Sequence, residues 1–104
     1  MTANPLRLYQ QQAVLNASPA KLVDTLYGIG VTAALAGDVA RARRVLVELS
    51  TALDYERGGE IAASLGRLYD FALRSANDGD LPTVADILTG LRQAWREGVL
   101  TATA

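Results

Sequence analysis

The chain has 104 residues, half of them hydrophobic and a fifth charged, the balance of a single soluble globular domain. It contains neither histidine nor cysteine and carries a formal net charge of -1. Imidazole and thiol catalysis, disulfides and the usual zinc sites are thereby excluded, and the near-neutral balance argues against a phosphate-tracking surface.

The opening, MTANPLRLYQQQ, lacks the basic, apolar and small-residue order of a signal peptide. No later apolar run approaches the ~20 residues a membrane span requires, so a cytoplasmic protein is expected. Residues 1–17 read as an N-terminal arm, in which Leu6, Tyr9 and Ala13 suit either about two helical turns or an extended segment. Ser18 is positioned to cap the first bundle helix, and Pro19 suits its first turn, where a missing N–H is not needed. Leu22, Leu26, Ile29 and Ala33 then form one apolar stripe, with Val23, Tyr27, Gly30 and Ala34 beside it. Gly37-Asp38 closes this helix and caps the next.

The second helix is expected from about Val39 to Leu53, with a seam of Val39, Ala42, Leu46, Leu49 and Leu53. Gly58-Gly59 follows, a pair that ends one helix and lets another start at an angle. It reads as the joint between the second and third helices. Apolar spacing resumes at Ile61, Leu65, Leu68 and Ala72, flanked by Ala62, Tyr69, Leu73 and Ala76. Leu65 and Leu68 are assigned to the core on this spacing, where replacement by alanine would cost ~2–5 kcal/mol. A turn at Asn77-Asp78-Gly79-Asp80 leads into a last helix carrying Val84, Leu88, Leu91 and Trp95, with Asp80 as its cap. The expected architecture is all-α: an antiparallel up-down four-helix bundle over residues 18–98, with the N-terminal arm ahead of it and residues 99–104 frayed, all in one domain.

Catalytic constellations are thin. The four glutamates lack the histidines of a di-metal carboxylate site, and no segment suggests a cleft holding two opposed carboxylates. The serines have no histidine base, and Lys21, the sole lysine, leaves only a Ser-Lys pair open. Gly28-Ile29-Gly30 lies inside a helical pattern without the strand a phosphate loop needs, and suits close helix packing or an open groove. Arg41, Arg43 and Arg44 form a basic cluster flanked by Asp38 and Glu48, read as a solvated face or as a steering patch for an acidic protein. No metal, cofactor, nucleic acid or membrane partner is expected, and the chain is not read as an enzyme. Val47, Phe71, Tyr27 and Tyr69 are apolar residues at or beyond the edges of their stripes, and with the glycine-thinned first helix they suggest grooves for a partner helix.

The order of Tyr9-Gln10, Ala17-Ser18-Pro19, Leu22, Leu26-Tyr27, Leu53-Asp54, Gly59-Glu60-Ile61-Ala62, Leu65, Leu68-Tyr69, Ala76-Asn77 and Trp95 resembles the flagellar export chaperones of the FliS type. The resemblance covers almost the whole chain from Tyr9 to Trp95. It implies a non-enzymatic cytoplasmic chaperone that binds the disordered C-terminal region of flagellin and prevents premature polymerisation. Such binding couples folding to association, with a long contact surface offsetting the client's ordering entropy. By position, it implies that Tyr9 and Gln10 fall in a segment that lies near the client groove and can occupy or gate it, and that Tyr27 and Tyr69 either contact the client or pack at the bundle edge; the surplus apolar residues Val47 and Phe71 are the other partner-binding candidates. Two departures stand out. Gly28-Ile29-Gly30 replaces the family's common Asp-Gly-Ala, and the hairpin around Gly37-Asp38 is shorter by about two helical turns on each side, roughly 10 Å. A shortened member that self-associates as a homodimer, or binds a client other than flagellin, is the alternative.

Overall fold

Three of the helix starts are written by the same device, an aspartate at the end of a three-residue connection. In the computed structural model, which describes residues 19–100, helices α1 (Pro19–Leu35), α2 (Val39–Thr51), α3 (Tyr55–Asn77) and α4 (Leu81–Trp95) follow one another, and a π-helical turn, Arg96–Leu100, continues from α4. Asp38, Asp54 and Asp80 each accept a hydrogen bond from the backbone N–H three residues on, at Arg41 (3.0 Å), Arg57 (3.1 Å) and Thr83 (3.2 Å). Each satisfies a donor that the first helical turn would otherwise leave open. Ser18 and the N-terminal arm, including Tyr9 and Gln10, lie outside the described residues, as do Thr101 to Ala104.

The first and third connections close with glycine in the left-handed region, Gly37 at φ 76° and Gly79 at φ 81°. In each, the following aspartate N–H reaches back to a carbonyl of the last helical turn, Asp38 to Ala33 at 2.9 Å and Asp80 to Ser75 at 2.8 Å. These are Schellman closures, which reverse the chain within a few residues. The middle connection has no such glycine. There α2 ends at Thr51, and the joint to α3 is Ala52-Leu53-Asp54 rather than the Gly58-Gly59 pair that the sequence suggested. The pair instead interrupts α3 one turn after its start, where Gly59 takes φ 49°, ψ −124°. The break is real, but Asp54 has already nucleated a turn ahead of it.

With three-residue connections the four helices run up and down. α1 packs on α2 and most extensively on α4, while α3 packs on α2 and α4, so the bundle closes into a ring. Leu26, Tyr27, Val45, Leu46, Leu49, Tyr69, Val84 and Leu88 fill its core. The Gly28-Ile29-Gly30 segment serves close packing: a β-carbon on Gly30 would come within 2.6 Å of a Leu88 methyl, and one on Gly28 within 2.7 Å of the Arg92 guanidinium.

Two expected seams shift. On α2, Val39 is exposed and Val45 takes its place beside Ala42, Leu46 and Leu49. On α3, Ala62, Tyr69, Ala72, Ser75 and Ala76 are buried, whereas Leu65 and Leu68 are half-buried and Ile61 is 73% exposed. Both stripes of α3 are apolar, so periodicity alone does not decide which one meets the core. Leu65 therefore packs against the core only from its edge and Leu68 lies outside it, so truncation of either leaves no enclosed cavity of the kind that costs ~2–5 kcal/mol.

Candidate partner-binding groove

In an up-down bundle the start of α1, the end of α2, the start of α3 and the end of α4 all meet at one end. There the core opens into a groove of about 350 Å³. Val23 and Tyr27 from α1, Leu49 from α2, Leu53 from the connection, Ile61 and Leu65 from α3, and Trp95 from α4 line it, with Asp54 and Arg57 among the lining residues. On α3 the exposed Ile61 and the partly buried Leu65, which packs against the core from its edge, are the apolar residues that face the groove.

Its floor is held by a polar contact. The Tyr27 and Tyr69 hydroxyls, 42 positions apart in sequence, hydrogen-bond at 2.7 Å, and the residues are 1% and 2% exposed. Burial raises the pKa of both phenols, so both remain neutral at physiological pH. Trp95 stands edge-on to Tyr27, with ring centroids 6.4 Å apart at 78°, and donates its indole N–H to the Ala20 carbonyl at 2.8 Å. Replacing Tyr69 by phenylalanine strands the Tyr27 hydroxyl and is expected to cost about 1–3 kcal/mol, whereas the double variant with Tyr27→Phe recovers most of that loss. Chemical denaturation of the four proteins of this cycle measures it.

A charge cluster ties α1 to the end of α4. Asp24 accepts from Arg96 Nε at 2.7 Å and Arg92 Nε at 3.3 Å through Oδ1, and from Nη2 of both arginines through Oδ2. Chiefly through the Arg96 hydrogen bond, and against the opposing effect of burial, its carboxyl is held below the usual carboxylate range. A depressed folded-state pKa contributes stability that is fully present above the unfolded value and is lost as pH falls through the folded one. Asp24→Asn is accordingly expected to lower stability at pH 7 by about 1 kcal/mol, the scale of a partly exposed ion pair. It should also flatten the acid limb of a Tm-against-pH profile below about pH 4.

The sequence-predicted site residues do not converge. Tyr27 and Tyr69 are core residues at the groove floor, 1% and 2% exposed, rather than at the bundle edge where the sequence places them. Val47 on α2 and Phe71 on α3 are 50% and 47% exposed, and neither lines the groove. Tyr9 and Gln10 lie outside the described residues. The residues that build the groove walls, Val23, Leu53, Ile61, Leu65 and Trp95, were hidden among the apolar stripes, and their signal was an excess of apolar positions at the bundle end. A second cleft, of about 410 Å³, is lined by Thr25, Gly28, Thr32, Asp38, Arg41 and Arg92, charged in both senses. Arg41 pairs there with Asp38 at 3.8 Å in an exposed contact, and Arg43 and Arg44 are exposed on the same helix. Among the described residues no group of three or more His, Cys, Asp or Glu is placed to hold a metal ion, and no helix is long and apolar enough to cross a membrane.

The described residues thus form a closed all-α helical bundle with an apolar groove at one end. The chain belongs to the FliS family: the family model described as "Flagellar protein FliS" matches residues 32–102. It is similar to the flagellar secretion chaperone FliS of Salmonella typhimurium, with 31% identity covering 92% of this chain and 90% of the relative. It is also similar to that of Bacillus subtilis, with 30% identity over 92% and 86%. Over a shorter stretch, 57% of this chain and 52% of the relative, it is 36% identical to that of Campylobacter jejuni. The Salmonella alignment runs over 123 residues, more than this chain has, so that relative carries residues without a counterpart here. No solved structure matches the chain.

Proposed function

We propose that this protein is a cytoplasmic flagellar secretion chaperone that binds the disordered C-terminal region of flagellin and prevents its premature polymerisation. The observation that carries this reading is the apolar groove built by all four helices in a chain of the FliS family. A groove of about 350 Å³ holds a few side chains and not a whole helix. The remainder of the contact runs outward over apolar surface, first across Ile61, Leu65 and Leu68, which border a shallow depression on α3. Val47 and Phe71, exposed farther off, give a wrapped segment two more anchoring points. Tyr27 and Tyr69 act from below, by fixing the floor.

Tyr9 and Gln10 belong to the segment that leads into α1, whose start borders the groove. In this reading Tyr9 and Gln10 are partner-binding residues. Isothermal titration with the isolated C-terminal segment of flagellin from the same organism tests the function. Binding with a negative heat-capacity change is the expected result, because apolar surface is buried as the segment folds. Absence of binding at high micromolar concentration refutes it.

The residues that the Salmonella relative has and this chain lacks favour one second reading, a shortened member that self-associates. Light scattering over a wide concentration range separates the two, since a strict monomer leaves only the client reading.

A further inference from the structure

We infer that Tyr55 and Gly66 form a latch that positions one wall of the groove. The wall is the turn that Asp54 caps: Leu53, Asp54, Arg57 and Gly58 all line the groove from it. The turn is a unit of its own, closed by the Arg57 N–H to the Asp54 carboxylate at 3.1 Å and by the Gly58 N–H to the Asp54 carbonyl at 2.8 Å. It is joined to the rest of α3 only through Gly59, whose φ of 49° no longer follows the helix. A rigid turn on a glycine joint needs something else to fix its angle.

Tyr55 supplies that contact. A β-carbon built on Gly66 would lie 2.6 Å from the Tyr55 hydroxyl oxygen and 3.6 Å from a Leu53 methyl. In a continuous helix these residues, eleven positions apart, would be separated by about 16 Å along the axis, beyond the reach of a tyrosine side chain. The kink at Gly59 therefore folds the turn back along α3, and the missing side chain at Gly66 is the notch that receives it. Tyr55 remains 57% exposed, so it contributes little to the core. Its role is to hold the angle of the turn, and with it the width of the groove. Tyr55 and Gly66 are thus positioning residues for whatever the groove binds; the binding arm of the test below rests on the flagellin reading.

The test uses the full chain and one label. Because the protein has no cysteine and a single tryptophan, Glu56→Cys carries a dansyl acceptor on the exposed face of the turn, and Trp95 on the opposite wall is the donor. Alanine is a better helix former than glycine, so Gly66→Ala is expected to leave Tm unchanged or raised. At the same time it displaces Tyr55, and energy transfer from Trp95 changes without any client present. A glycine serving only helix packing would leave the transfer efficiency alone, whatever its replacement does to Tm. With the flagellin segment, Gly66→Ala weakens affinity by about fivefold if one molecule in five keeps the wall in the binding position. Tyr55→Ala has the same effect, and adding Gly66→Ala to it changes nothing further. Unchanged energy transfer in Gly66→Ala overturns the latch, as does a full further loss in the Tyr55→Ala background. If the wild type fails to bind the segment, the flagellin reading falls and the energy-transfer result alone decides the latch.

Discussion

Leu88→Ala is expected to lower the unfolding free energy by about 3–5 kcal/mol, the upper part of the range for a buried leucine. For a domain of this size that is a fall of about 15 °C or more in Tm. Leu88 is fully buried on α4, and its methyl fills the notch left by Gly30 on α1, against Val45 of α2. Three helices meet at this side chain, and its removal opens a space that Gly30, lacking a β-carbon, does nothing to fill. Packing enforced by three backbones collapses poorly, which places the cost high. By contrast Ile61→Ala, at 73% exposure, is expected to stay within about 0.5 kcal/mol of the parent. Thermal denaturation of both variants checks the bundle's interior and the corrected face of α3 together. A larger loss for Ile61 than for Leu88 is incompatible with the fold described.

Leu65→Glu carries the second large effect, on binding. Leu65 is half-buried and lines the groove from α3, so its glutamate can reach water and the bundle should remain folded. A client side chain entering the groove would instead meet a carboxylate to be desolvated, and affinity for the flagellin segment is expected to fall by about thirtyfold, ~2 kcal/mol. The matched control is Asp86→Asn on the exposed face of α4, away from the groove, expected to bind as the parent does. Equal affinity of Leu65→Glu and the parent by calorimetry places the client elsewhere.

Much of the architecture was legible in the residues because its signals are local. Asp38 and Asp80 announce their helices through the glycine and apolar spacing around them, and both cap as expected. Asp54 does the same, but the adjacent Gly58-Gly59 pair carries a stronger breaker signal and drew the joint five residues downstream. The groove was less legible because it depends on where helices stop overlapping. Ile61 and Ala62 are neighbours on one apolar face, and only the end of the bundle decides that Ala62 is buried and Ile61 exposed. Long-range partners were not legible at all: Tyr27 with Tyr69 and Asp24 with Arg92 and Arg96 are pairings across helices that helical periodicity leaves unspecified. The spacing puts both tyrosines at the edges of their stripes, whereas the closed bundle buries them and brings their hydroxyls together across its core, from α1 and α3 on opposite sides of the ring.

In the proposed function the client's apolar face enters the groove at the end where α1 starts and α4 stops. Backbone amide chemical shifts of the isotopically labelled protein, followed during titration with the flagellin C-terminal segment, test it directly. The largest changes are expected at Val23, Leu53, Gly58, Ile61 and Leu65 and at the Trp95 indole N–H. Changes centred instead on Thr32, Asp38 and Arg41, at the opposite end of the bundle, would contradict it.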